Sequence, residues 1–271
     1  MDRYRSSNRA LWDEWTVINA TSTFYDLESF KKGGIFLERD EIAEVGDVAG
    51  KSLLHLQCHI ATDTLSWARL GARVTGVDFS EQAIAFARSL AAEMAIDARF
   101  VHSDVLELPG ALEGEFDIVY TSRGVLGWLP DLRRWARVIA HFLRPGGFFY
   151  IREQHPILYP WDDSDDAKDL RLLYPYFDRD EPLPFPVRGS YADRDAHVTQ
   201  TTQYAWSHSM GEIVTAIAEA GLRIEFLREF PFLSYPMLPF LERRQDGTWW
   251  LPAGWSGELP LSFSLKATKP A

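Results

Sequence analysis

The stretch His55–Ser80, "HLQCHIATDTLSWARLGARVTGVDFS", decides the architecture of this chain. Extended back to Ser52, its first part reads "SLLHLQC", a short apolar run after Gly50 and Lys51, the pattern of a buried strand. "TDTLSWARLG" follows, with Leu65, Ala68 and Leu70 at helical spacing and Gly71 as a stop. "ARVTGVD" then returns to a strand pattern and ends on Asp78. A strand, a helix and a second strand in succession make a crossover unit, in which the two strands run parallel.

Working outward, the same alternation continues. "SEQAIAFARSLAAEMA" predicts a helix whose apolar face is Ile84, Ala87, Leu90 and Met94. Strands follow at 98–104 and 116–121, then a helix at 131–143, and a fifth strand, "GFFYIRE", after "RPGG". Further on, Ser209 and Glu212 open a helix as a capping box and Gly221 closes it. Strands at 222–227 and 261–268 complete the series. Strands alternating with helices of this length predict an α/β fold, a doubly wound, mostly parallel sheet with helices on both faces. Residues 4–20 and 35–48 have helical rhythm, so 1–49 reads as a helical N-terminal cap on a single domain. The core is 50–155, and 206–271 supplies a C-terminal helix and strands. Between them, 156–205 is rich in proline, aromatics and acid with little periodicity, which predicts a lid or substrate insertion. Its run Asp162, Asp163, Asp165 and Asp166 lacks the spacing of a calcium loop and reads as solvated surface.

Composition narrows the function. With 271 residues, 46% of them apolar, the chain can bury a sizeable core, and 14% aromatic residues suggest aromatic-walled clefts. Lys+Arg 28 against Asp+Glu 39 gives a net charge of −11, which offers no general attraction to phosphate backbones or anionic membranes. Neither a nucleic-acid nor a membrane partner is expected. A single cysteine, Cys58, and the absence of a long apolar run predict a soluble, cytoplasmic protein.

The turn "HLQCHIA" raises the question of a metal. On a strand, His55 and His59 would lie about 13 Å apart, and no Cys-x-x-Cys supplies a second pair of ligands, so no metal site is expected. A pyrophosphate-binding turn is equally poorly served, because no glycine stands between Gly50 and Gly71. "GDVAGKS" also misses the phosphate-loop spacing and precedes a strand instead of following one. Asp78 and Asp104, however, each sit at a strand end, where ribose hydroxyls and an adenine amine would be received.

These features together resemble the S-adenosylmethionine-dependent methyltransferases of the Rossmann-like class, closely over 50–155 and more loosely over 206–268. "VTGVDFS", "ARFVHSDVLELP", "FDIVYTSRGVLGWLPDL" and "FLRPGGFFYI" carry the likeness. The glycine-rich turn of that family is replaced here by His55, Gln57, His59 and Ala61, and the whole turn resembles a bacterial subgroup acting on small molecules. The resemblance implies a seven-stranded sheet with an antiparallel last strand, and S-adenosylmethionine as cofactor. It also implies in-line methyl transfer to a small-molecule acceptor in a closed pocket. The cofactor would be held by Tyr25, by Gln57, Cys58, His59, Asp63 and Thr64 of the turn, and by Asp78, Phe79 and Ser80. Ser103, Asp104 and Val105, with Thr121 and Ser122, would complete that site. Thr62 or Thr64 would cap the helix after the turn. His155 and Glu153, at the end of the fifth strand, are the candidate proton-transfer residues. Trp128, Tyr176, Trp206 and His208 would wall the acceptor. A non-catalytic or regulatory protein keeping the fold, and a nicotinamide-dependent oxidoreductase, are the alternatives.

Overall fold

The computed structural model describes residues 2–255 and 258–271. Three helices, α1 (Arg3–Thr21), α2 (Leu27–Lys31) and α3 (Arg39–Val45), precede the sheet. The alternating series then runs β1 (Ser52–Leu56), α4 (Thr62–Arg69), β2 (Arg73–Asp78), α5 (Glu81–Glu93), β3 (Ala98–His102), β4 (Phe116–Ser122), α6 (Leu132–Phe142) and β5 (Leu143–Gln154). A small hairpin-like pair, β6 (Leu183–Pro186) and β7 (Thr202–Ala205), is followed by α7 (Met210–Glu219) and β8 (Arg223–Phe230). The short β9 (Glu242–Arg243) and β10 (Trp249–Trp250) pair with each other, and β11 (Ser262–Thr268) ends the chain.

The main sheet has seven strands in the order β3-β2-β1-β4-β5-β11-β8. β1 to β5 pair in parallel, while β11 inserts antiparallel between β5 and β8. The alternating pattern anticipates the parallel, doubly wound part of this sheet, and the family resemblance its seven strands and antiparallel last strand. Strand residues alternate between two buried faces. Leu54 and Leu56 pack with Trp135 of α6 and Ile213 of α7, whereas Leu53 packs with Trp67 of α4. Both faces are covered, which is why the strands read as continuous apolar runs. Strand order reverses between β1 and β4, and the crevice beyond their carboxyl ends is where open sheets of this kind bind ligands.

Two details depart from expectation. Neither Thr62 nor Thr64 caps α4; Ala61 stands at the N-cap in the left-handed region, with no side-chain bond. The Thr64 hydroxyl is instead 2.7 Å from Nδ1 of His55. β5 begins at Leu143 because the "RPGG" segment stays in pairing distance of β4, through an irregular register near Phe116.

The segment 156–205 carries little regular structure, yet it is firmly attached to α1. Asn8 and the backbone of Tyr204 exchange two hydrogen bonds, at 2.7 and 2.9 Å. Trp15 Nε1 donates to the Gly189 carbonyl at 2.8 Å. Together α1 and this segment roof the crevice.

Candidate active site

Under that roof lies a cavity of about 860 Å3. Its floor is the turn after β1, the ends of β2 and β3, and the loop after β4. The turn is built unusually. Gln57, His59 and Ala61 have φ of 58°, 47° and 66°, so three non-glycine residues occupy the left-handed region favoured by glycine. These are the positions where the resembling family carries glycines. The backbone path is therefore kept and the side chains are additional. Gly76 on β2 makes room for the turn, since a Cβ there would lie 2.9 Å from Cys58 Sγ and from the Phe100 ring.

Asp78 anchors this floor. Its Oδ2 accepts from the His59 amide at 2.8 Å and its Oδ1 from the Ser80 amide at 2.9 Å. Burial pushes its carboxyl up to about 6, and these amide bonds pull the other way. Each oxygen keeps a lone pair free for a ligand hydroxyl. Asp104 also lines the cavity, but its oxygens serve Leu106 N at 2.9 Å and Arg5 Nη1 at 2.8 Å.

The turn's polar side chains are half committed. Gln57 Nε2 donates to the Val125 carbonyl at 3.3 Å, while Gln57 Oε1 is buried with no partner. His59 Nε2 lies 3.0 Å from Asn19 Nδ2, an amide donor, so the ring proton belongs on Nδ1, which is buried and unpartnered. Burial depresses the His59 pKa to about 3, keeping the ring neutral. His55 faces α4 and Ser122, burial lowering its pKa to about 3 as well. Asp63 lines the cavity beside Arg123, whose guanidinium is 2.7 Å from Glu41 and 3.7 Å from Asp63. Burial raises the Asp63 carboxyl, and the Arg123 charge opposes that rise.

Aromatic rings close the other side. Trp12 meets Trp128 at 5.3 Å, Trp15 at 5.2 Å and the His59 ring at 5.0 Å, all near edge-to-face. Tyr191 packs on Trp15, and its hydroxyl bonds that of Tyr25.

Of the residues singled out by sequence, the structure brings together Tyr25, Gln57, Cys58, His59, Asp63, Asp78, Phe79, Ser103, Asp104, Val105, Ser122, Trp128 and Trp206 around this cavity. It places the others elsewhere. Ser80 caps α5 through the Ala83 amide and bonds Asp13. Thr121 turns its hydroxyl to the Leu56 carbonyl at 3.0 Å. Tyr176 receives the Met210 amide at 3.1 Å, and His208 Nε2 donates to the Leu129 carbonyl at 2.8 Å. The two candidate proton-transfer residues are committed to protein partners. Glu153 is buried and its carboxylate accepts the amides of Gly124, Val125 and Leu126, the latter two at 2.8 and 3.3 Å. His155 is held by Glu229 at 2.8 Å and by the Ile157 amide at 3.1 Å. Both shape the molecule without lining the cavity. Asp162 also differs from its expected solvated state: it is buried and paired with Arg171 at 2.7 Å.

Sequence reasoning missed Trp12, Trp15, Asn19, Tyr191 and Arg5. The helical spacing of Arg5, Trp12, Trp15 and Asn19 fits ordinary packing, Tyr191 stands in an aperiodic stretch, and only the fold shows that α1 crosses a cavity. Among the described residues no helix is long and apolar enough to cross a membrane.

The fold and crevice place this chain among proteins of known architecture. Its fold is that of the class I S-adenosylmethionine-dependent methyltransferases. It overlays such a methyltransferase from Mesorhizobium loti with a TM-score of 0.58 at 20% identity, covering 88% of this chain and 99% of that one. The glycopeptide N-methyltransferase MtfA overlays with a TM-score of 0.54 at 16% identity, over 86% and 92% of the two chains. Residues 53–147 match the methyltransferase-domain family. The chain is 35% identical over 111 residues to a ubiquinone biosynthesis O-methyltransferase of Aromatoleum aromaticum, covering 41% of this chain and 47% of that protein. The chain thus spans less than half the length of the curated relatives it matches.

Proposed function

We propose that this protein transfers a methyl group from S-adenosylmethionine to a small, planar or apolar acceptor held beneath α1 and the 156–205 segment, which acts as a lid. The observation that carries the reading is the turn after β1. Two side chains standing in glycine-like conformations each leave one buried polar atom unpaired, beside a large cavity. An unsatisfied buried group costs about 1–3 kcal/mol, so a polar ligand that pairs with both is strongly favoured. The amino-acid end of S-adenosylmethionine offers an ammonium for Gln57 Oε1 and Asp63, and a carboxylate for His59 Nδ1–H and Arg123. Asp78 keeps lone pairs for ribose hydroxyls, and Ser103 and Val105 flank the adenine edge. Lacking phosphate, this cofactor does not need the glycine backbone that a pyrophosphate requires.

When bound, the sulfonium supplies both the methyl group and its leaving group. The protein's part is alignment: Trp12, Trp15, Trp128, Trp206 and Tyr191 line the cavity, where their rings would exclude water and attract the cationic centre. Glu153 acts through the loop it holds, as a positioning residue.

Calorimetric titration of the cofactor-free protein with S-adenosylmethionine tests the proposal, beside Asp78→Ala and an NADH control. Saturable binding to the wild type, weakened about 30-fold in the variant, is expected from loss of bonds to a charged acceptor worth about 2 kcal/mol. Folded protein that ignores S-adenosylmethionine, or prefers NADH, would sink it.

A further inference from the structure

Behind the cavity wall, the 156–205 segment meets the start of α7 at a second cluster. Asp178, His208 and Glu212 bring their ligand atoms within 4.8 Å of one another, the one such trio of His, Cys, Asp and Glu among the described residues. His208 is nine-tenths buried, and its Nε2–H is spent on the Leu129 carbonyl at 2.8 Å. That bond fixes the tautomer and turns the Nδ1 lone pair toward the two carboxylates. Nδ1 lies 3.3 Å from Glu212 Oε2. Two acceptors cannot face each other there without a proton or a cation between them. A charge-assisted pair sharing a proton would close to about 2.7–2.9 Å. The observed gap is that of a long hydrogen bond, and it also matches one edge of a tetrahedron with metal–ligand bonds of about 2.0–2.1 Å, the bond length of zinc to nitrogen and oxygen. Among the described residues, no lysine or arginine pairs within 4.0 Å of either carboxylate.

We propose that Asp178, His208 and Glu212 bind a divalent transition-metal ion, Zn2+ by the character of the donors, with water as the fourth ligand. One nitrogen and two carboxylates suit zinc, whereas Mg2+ and Ca2+ prefer all-oxygen shells. A ring N–H held by a backbone carbonyl is the usual support behind a metal-bound histidine. Asp178 is exposed and needs only a small inward movement to complete the set. The ion would staple the lid segment to α7, beside the Tyr176 bond to the Met210 amide. It would sit behind Leu129 and Trp206, both of which line the cavity. This role is structural and does not depend on the methyl-transfer reading.

Full-length protein, dialysed against chelator, is titrated calorimetrically with ZnCl2 and separately with MgCl2. Asp178→Asn and Glu212→Gln are titrated in parallel, and circular dichroism confirms their folding. The proposal expects one saturable Zn2+ site per chain, at least tenfold weaker in either variant, and no saturable Mg2+ binding. Co2+ loading should give visible absorption from mixed nitrogen and oxygen ligands, lost in His208→Gln. Asp178 sits on the surface, so its variant cannot fail through a damaged core. Folded wild type without saturable Zn2+ binding, or a Zn2+ site indifferent to these substitutions, would overturn the proposal and leave His208 and Glu212 sharing a proton.

Discussion

The turn after β1 and the loop after β4 lie side by side on the cavity floor and are held by opposite means. In the turn, Gln57, His59 and Ala61 take left-handed backbone without a glycine, and one side-chain acceptor, Asp78, receives the His59 amide. In the loop, Gly124 takes the left-handed position freely at φ 78°, and the Glu153 carboxylate gathers three consecutive amides. The turn accepts strain and gains side chains that can bind; the loop accepts a buried carboxylate and gains rigidity. Gln57 ties the two together through the Val125 carbonyl.

The largest effect expected from this contrast is on the loop. Glu153→Ala strips the acceptor from four backbone amides, those of Gly124, Val125, Leu126 and Gln154, three of them in buried bonds, and should lower stability by at least about 3 kcal/mol in urea unfolding. A loss under about 1 kcal/mol would show that the carboxylate does not hold the loop.

A smaller, pH-dependent effect separates the turn's anchor. Asp78 titrates near 6 in the free protein, above its ordinary 3.8, because it is buried. Its proton is therefore retained more tightly on folding, so the stability it contributes is full below about 4 and is lost as pH rises through about 6. Ligand binding has the opposite sense, since ribose hydroxyls donate to the ionised form. The dissociation constant for S-adenosylmethionine should rise up to about tenfold per pH unit below pH 6. A flat profile between pH 5 and about 7 would remove Asp78 from the ribose site.

The smallest effect tests the strain itself. Left-handed backbone costs a residue with a Cβ about 1–2 kcal/mol, and glycine loses about 0.5–1 kcal/mol through its unfolded-state freedom. Ala61→Gly should therefore stabilise the protein by up to about 1 kcal/mol in thermal or urea unfolding. The Ala61 side chain, unlike those of Gln57 and His59, carries no polar group whose loss would confuse the result. Destabilisation would mean that the Ala61 methyl, fully buried, contributes more packing than its backbone costs.

The same contrast explains what the sequence discloses. The sheet is legible because strand runs and helix faces are local patterns, and Asp78 and Asp104 because position at a strand end restricts what a carboxylate can meet. The glycine-free turn is legible as a departure, but its retained backbone path is not, since no pattern in Gln57, His59 and Ala61 announces a left-handed φ. Glu153 and His155 look reactive in sequence because they end a strand. Their acceptors and donors, Gly124–Leu126 and Glu229, come from distant segments that only the fold brings near. For the same reason the roof is not legible: Trp12 lines the cavity and Asn19 bonds His59 and Tyr191, partners that lie far along the chain. The Asp178, His208 and Glu212 trio is legible only in part: His208 and Glu212 stand four residues apart at the start of a helix, but Asp178 comes from a distant aperiodic stretch.

The most direct test of the central claim is a crystal structure of the protein with S-adenosylhomocysteine. The account predicts the ribose hydroxyls on the Asp78 carboxylate and the amino-acid end against Gln57, His59 and Arg123, beneath Trp12. A ligand absent from this cavity at saturating concentration, or seated with its ribose away from Asp78, would contradict it.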